Sequence, residues 1–407
     1  MKTMLICLLI LIVAAEAQEV ITSSPSTPAI PATTQQIQAE PVGVIQPLGG
    51  ASGVPQGPHG LQWGALNLEP SLTYRFLYGT GIQSSPGQSQ NTAIHEVAPG
   101  LALALGSHWT LNYMPKWTFY SNHLFHDTFD QAVSLAGAAA YEDWLFGLSQ
   151  TYAHTDQPLI ETGRQTSLET YSTGLNASYR FSRAMLLELG ASQNFTFADR
   201  FTNTRDWSTM DWLTYQFWPR FDVGLGVGAG YDDVSVGNNS IFEQYQGRID
   251  WRATDKVSFQ IHGGVEDRQF QGSGAGNLIN PIFGGSIQYQ PVETTTLSLS
   301  AGRAVSTSLF TNLVESTDFT GSVNQRLFKR LDLTLSGGYH IARYVASAAT
   351  VPAGRQDDYY SFNARLGTGF LKRGTIATFY QFSRNASNNS LFTYSSSQVG
   401  IEIGYRY

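Results

Sequence analysis

The sequence has a single cysteine, Cys7, and it falls inside an apolar leader. Neither a disulfide framework nor a cysteine-based metal site can be built from it. Charge is also scarce. Asp, Glu, Lys and Arg together make 14% of the 407 residues, against roughly 25% in a soluble domain. No basic cluster offsets the net charge of −7, which excludes the electrostatic footprint of a nucleic-acid binder. A mean hydropathy of −0.16 excludes a helical membrane bundle. What the chain has instead is aromatic residues, at 13%, and 40 glycines.

The first segments stand apart from the rest. Met1-Lys-Thr-Met carries one positive charge, Leu5 to Ala15 is apolar, and Ala15-Glu16-Ala17 fits a small-x-small cleavage site. This predicts a secretory signal peptide over 1–17. The apolar run is too short for a spanning helix, which needs about 20 residues. It follows Cys7 instead of preceding it, which argues against an acylated lipoprotein signal. Residues 18–60 are rich in Pro, Gln, Ser, Thr and Gly without apolar periodicity. Such a segment buries too little to offset its ordering entropy, and the expectation is a disordered periplasmic tail or tether.

From Leu66 onward, tight polar turns recur with a regular period. They stand at Gly106-Ser107-His108, Glu142-Asp143, Ser182-Arg183, Pro219-Arg220, Thr254-Asp255, Val292-Glu293, Lys329-Arg330 and Lys372-Arg373. Longer polar stretches lie between them, at Gly79–Asn91, Asp156–Arg164, Asp232–Asn239, Gln271–Gly276, Ala346–Gln356 and Asn385–Ser390. Each period therefore holds two strands, one short turn and one long loop. Within the strands, apolar residues alternate with polar residues or glycine. Val223, Leu225, Val227, Ala229 and Tyr231 oppose four glycines, and Leu331, Leu333, Leu335 and Tyr339 oppose Asp332, Thr334, Ser336 and His340. The last nine residues repeat the pattern: Val399, Ile401, Ile403, Tyr405 and Tyr407 share one face.

A period-2 pattern of this kind suits either a soluble sheet with a buried face or a barrel with lipid outside and water inside. Aromatics decide between them. Trp109, Trp144, Phe181, Trp218, Phe221, Trp251, Tyr289, Phe328, Phe370 and Tyr405 lie close to the tight turns. A second set, Phe119, Tyr152, Phe197, Tyr231, Phe270, Phe310 and Tyr344, lies near the long loops. Two bands at opposite strand ends predict interfacial girdles. The expected fold is all-β: a single transmembrane antiparallel β-barrel over 61–407, with short periplasmic turns and longer extracellular loops. Segment counting gives about 18 strands, or about 16 if Leu66–Tyr78 and the pair around Thr202–Phe217 do not form.

The leader, the Pro/Gln-rich segment, the hairpin array and the closing Val399–Tyr407 strand together resemble the β-barrel porins of the bacterial outer membrane. Within these they resemble the beta-barrel porin 2 group, some members of which are associated with exopolysaccharide loci. The resemblance implies outer-membrane lipid as surroundings and a barrel-assembly machinery that reads the terminal strand. It implies no catalytic residues and no cofactor.

No motif for chemistry appears. There is no G-x-S-x-G elbow, and the Gly224–Gly230 run does not open a helix as a phosphate loop would. His123, His126 and Asp127 fall in a predicted loop, where a solvated cluster is expected in place of a metal site. The inward face carries both signs of charge: Arg180, Arg248, Arg268, Arg326, Arg365 and Arg406 with Glu188, Asp222, Asp250, Glu266, Asp332 and Glu402, plus His262 and His340. Such a wall suits a transverse field acting on hydrophilic solutes, or salt bridges that stiffen the barrel. The mixture argues against an arginine-lined exporter of polyuronate. Three functions stay open: a passive channel for hydrophilic solutes, a barrel for exopolysaccharide export or assembly, and a non-conducting structural or surface-binding barrel.

Overall fold

The computed structural model describes residues 61–64, 66–106, 108–272, 276–310, 313–345 and 354–407. The expected signal peptide over 1–17 and tail over 18–60 lie outside the described residues.

The strands run in chain order as β1 (Leu61–Trp63), β2 (Leu66–Ser85), β3 (Gln88–Leu105), β4 (Trp109–Tyr120), β5 (Thr128–Tyr141), β6 (Trp144–Thr155), β7 (Pro158–Leu159), β8 (Arg164–Gln165), β9 (Leu168–Arg180), β10 (Met185–Ala198) and β11 (Thr204–Trp218). They continue as β12 (Phe221–Val234), β13 (Ser240–Thr254), β14 (Val257–Phe270), β15 (Leu278–Val292), β16 (Thr295–Thr307), β17 (Leu313–Leu327), β18 (Leu331–Val345), β19 (Gln356–Phe370), β20 (Gly374–Ser387) and β21 (Tyr394–Arg406). Eighteen of them, β2–β6 and β9–β21, pair antiparallel with their sequence neighbours. The sheet then closes, because β21 pairs with β2 from Ser71↔Arg406 to Thr80↔Ser397. Closure leaves no unpaired edge among the eighteen. β1 is a short flap on β2, and β7 and β8 form a separate two-stranded hairpin between β6 and β9.

All eight predicted turns join consecutive strands at one end of the barrel. The Ala346–Gln356 expectation lies largely outside the described residues. Gly79–Asn91 is corrected: it is not a loop but the tip of a ladder. β2 and β3 pair on as far as Ser85↔Gln88, and the chain reverses at Pro86-Gly87, with Gly87 at φ 76°. A Gly-, Ser- and Gln-rich stretch has the composition of a loop, yet two such stretches facing each other still satisfy one another's backbone groups. Two other expected loops, Asp232–Asn239 and Asn385–Ser390, begin three residues late, because β12 runs on to Val234 and β20 to Ser387.

The outer surface is apolar. Leu225, Leu299, Ile261, Val399, Ile401, Ile403, Tyr405 and Tyr407 are exposed, and their chain neighbours point inward. The aromatics near the short turns are exposed as a ring, from Trp218 and Phe181 through Trp251 and Tyr289 to Phe370. In the second set, Phe119 is exposed on the outer face but Tyr344 is not. Tyr344 faces inward under the Arg355 guanidinium, and Phe310 packs among the loops at that mouth.

Candidate functional site: the inner wall and the loop hub

Three arrangements occupy the interior. The first crosses the closure seam as a chain of alternating charges from β19 to β5. Arg365 pairs with Glu402 at 2.8 Å, Glu402 with Arg75 at 3.4 Å, and Arg75 with Glu96 at 2.9 Å. Lys116 then bridges Glu96 at 3.5 Å and Asp130 at 3.1 Å. Arg75 and Glu96 are 4% and 1% exposed, so their charges depend on each other for solvation. The Phe379 ring lies 4.4 Å from the Arg75 guanidinium. Beside this chain, Leu77, Ile82, Ile94, Tyr120 and Phe125 form an apolar cluster with Phe379 inside the barrel. The inward face is therefore not uniformly polar. Of the ladder, only Arg365 and Glu402 were recognised from sequence; Arg75, Glu96, Lys116 and Asp130 were not.

The second arrangement lies on β10–β15 and explains the glycine run. A Cβ on Gly226 would stand 2.7 Å from the Trp212 ring, one on Gly228 would meet the Met210 sulfur at 2.8 Å, and one on Gly230 would meet Phe242 at 2.2 Å. The glycines thus form a floor across which side chains from β11 and β13 lie flat. Arg248 stacks over Trp212 at 4.6 Å, and Arg268 over Phe242 at 4.5 Å. Arg248 is ion-paired to Glu188, three strands away, and at 3.1 Å to Asp250, whose register partner is Asp222. Arg268 is paired to Asp232 and, at 2.8 Å, to Glu266. His262 uses the same device: it is the register partner of Arg248, and its ring fills the place of a Cβ on Gly284.

The other expected residues lie on the same face. His340 contacts Asp318, and Arg326 pairs with Asp332 at 3.1 Å near a short turn. Asp332 and Asp318 are 42% and 46% exposed, so this part of the wall meets solvent. Arg180 and Arg406 stand exposed at the short-turn rim, where Arg406 lines a shallow recess with Glu69, Ser71 and Asn112.

The third arrangement closes on the opposite mouth. The 156–167 segment, which carries the β7–β8 hairpin, does not stay outside. Gln157 anchors its base: it donates to Asp130 at 2.7 Å and accepts from the Tyr120 hydroxyl at 3.0 Å. Beyond it, Leu159, Ile160, Glu161 and Thr162 are buried. Glu161 accepts from the Ser308 hydroxyl and from the Leu309 amide at 2.9 Å, both from the β16–β17 connection on the far side of the ring. Arg355 donates to the Glu161 carbonyl at 2.8 Å, pairs with Asp357, and stacks over Phe392 at 3.5 Å. Phe201 meets Phe310 at 5.3 Å, and Leu159, Leu168, Ala198 and Leu309 pack beside them. Four other connections from around the barrel thus converge on the 156–167 loop. Burial raises the Glu161 carboxyl above its usual range, while Ser308, Arg355 and the Leu309 amide pull it back.

The Asp127 side chain and the His126 backbone are taken up in local hydrogen bonds. The His126 amide donates to the Gln165 side chain, and Asp127 accepts from the Tyr120 amide at 2.9 Å.

The sequence matches no family model and no curated protein. Among solved structures the chain is similar to the copper transporter OprC, with TM-score 0.44 and 10% identity over 80% of this chain and 62% of that one. It is also similar to Pseudomonas aeruginosa OpdK with vanillate, at TM-score 0.43 and 11% identity over 84% of this chain and 99% of that one. For Pseudomonas aeruginosa OccK2 (OpdF) the values are 0.45 and 12%, over 83% and 98%. The chain spans 62% of the length of OprC.

Proposed function

We propose that this protein is an outer-membrane channel through which small hydrophilic solutes diffuse passively. The apolar exterior with its aromatic ring faces lipid, the short turns face the periplasm, and the long loops face outward. Eighteen strands enclose more space than side chains fill, so water occupies the lumen. The carrying observation is the asymmetry of that lumen. Its periplasmic end presents water-facing charges such as Asp332 and Arg326, and its outer mouth is drawn in by the loop hub on Glu161. A solute passes the hub first and then a wall of both signs, where Arg248, Glu188, Asp222 and Asp250 on one side and Arg365 and Glu402 on the other set the transverse field. The chemistry is selection, with no bond made or broken. Val399–Tyr407 is the strand offered to the assembly machinery, and the likeness to the beta-barrel porin 2 group rests on it, the leader and the hairpin array.

Planar-bilayer recording of the purified barrel tests the proposal: discrete, ohmic steps are expected. One observation favours a second reading, a barrel that does not conduct, and that is the hub itself. Silence from the wild type and from Glu161→Ala alike would establish the second reading and end the first. Export of exopolysaccharide rests on the resemblance alone.

A further inference from the structure

Between the two aromatic rings the outer wall is apolar over most of its circumference. From β19 through β21 to β3 it presents Phe362, Leu366, Tyr380, Val399, Ile401 and Phe76, and polar groups there pair within the wall: the Thr378 hydroxyl donates to the Gly400 carbonyl at 3.2 Å, and the His95 ring, register partner of Phe76, bonds the Tyr74 hydroxyl at 2.8 Å. The wall from β6 to β11 differs. In the same band it carries Gln150, Thr173, Gln193, Thr209 and Asp211, with Ala177 and Ala191 between them.

Asp211 is the telling residue. It stands on the outer face midway between Trp207 and Tyr215, both exposed, and its register partner Val227 is exposed as well. The β10–β11 ladder lapses at this point, between Glu188↔Trp212 and Ala191↔Thr209. One carboxylate oxygen accepts from the Gly190 amide at 3.2 Å, and the other has no partner among the described residues. Gln193 has none either, whereas Thr173 donates to Gln150 at 2.6 Å. A carboxylate and a free amide at the depth of the hydrocarbon, with small residues around them, are costly against lipid.

We infer that the β6–β11 wall is covered by a second copy of this chain. The patch complements itself: the Gln193 amide has no partner among the described residues, the Gln150 amide and the Thr209 hydroxyl hold only 3.5 Å contacts to the Thr151 and Ala229 carbonyls, and the Asp211 carboxylate is the acceptor these donors would share. Ala177 and Ala191 let a neighbouring wall approach closely enough for those bonds. A foreign partner would need its own donors at the same depth; a copy already has them.

The inference rests on the membrane placement proposed above but not on conduction, so crosslinking separates the two. Cys7 is the only cysteine, so single cysteines are placed at Gln193→Cys or, on the opposite wall, Leu366→Cys, in a Cys7→Ser background. Membranes are treated with a flexible bis-maleimide, and folding is checked by heat-modifiable mobility. Gln193→Cys is expected to give crosslinked multimers several-fold more efficiently than Leu366→Cys, and adding Asp211→Leu is expected to reduce that yield several-fold. If the Asp211 variant fails to fold, Thr209→Val in the same background supplies the readout. Equal yields at the two walls, a monomer mass by light scattering of the solubilised wild type, or multimers unaffected by loss of the polar groups would overturn the inference. Failure to sediment with membranes would overturn the placement itself.

Discussion

The closure seam and the glycine-floored wall use the same residue types, arginine with carboxylates over an aromatic ring, to different ends. At the seam the charges run in series, Glu402 and Glu96 each shared by two cations, and the chain reaches the base of the inward loop through Asp130 and Gln157. On β10–β15 they form two separate clusters, each an arginine laid over a ring with two carboxylates. A series transmits the loss of any member to its neighbours; a cluster confines it. In the proposed channel the seam therefore carries stability besides one side of the field, and the glycine wall carries the other side.

The largest effect is expected from Arg75→Leu, which removes the cation that Glu96 and Glu402 share and leaves each with a single, partly exposed partner, Lys116 or Arg365. Removing one member of a buried pair costs about 3–5 kcal/mol, so denaturant unfolding of the folded barrel should shift strongly to lower concentration. An unshifted midpoint would remove the distinction drawn here. Gly226→Leu comes next. Its side chain has to displace the Trp212 ring, and overpacking of this kind costs about 1–3 kcal/mol, with the Arg248 stack lost alongside; tryptophan fluorescence and unfolding report both.

Arg248→Gln sharpens the comparison from the other side. It leaves Glu188 and Asp250 without their cation, beside Asp222, so reversal potentials in a salt gradient should move toward cation selectivity. The change in stability should be smaller than at Arg75.

The hub supplies a pH dependence. Because burial raises Glu161, its neutral form fits the closed hub better than the charged form. That extra stability is complete below the ordinary carboxylate range and is lost as pH rises through the raised value. Conductance should therefore increase with pH, and Glu161→Gln should hold it low and flatten the profile. A profile unchanged by the substitution removes Glu161 from the hub's control. The smallest effect is expected at Arg326→Ala, whose pair with Asp332 is open to solvent; exposed pairs contribute about 0.2–1 kcal/mol, so the unfolding midpoint should barely move.

The barrel was legible because two signals repeat along its length, the alternation that separates Val223 from Gly224 and the turn residues that stop each strand. The seam ladder was not, for a specific reason. Lys116 sits next to Pro115, and Arg75 lies in the strand whose alternation is most masked by apolar residues on both faces, Leu77 among them, so neither position announces a polar face. The glycine floor was readable as space, but not as space already filled by Trp212, Met210 and Phe242, since those come from neighbouring strands. The hub left no local trace at all. Glu161, Ser308, Arg355 and Phe392 belong to four different connections, and only the curvature that closes the sheet brings them together. The 79–91 stretch failed in the opposite sense, by looking like a loop while pairing as a ladder.

The seam ladder also bears on how the barrel is completed. Glu402 belongs to β21, the last of the eighteen barrel strands in chain order, and until it docks, Arg75 from β2 and Arg365 from β19 lack the anion they share. Two cations waiting on one late carboxylate act as an electrostatic latch, thrown only when the two edges of the sheet have met in register. A chain cut short before β21, or slipped by two residues there, leaves the latch open and the cylinder unsealed.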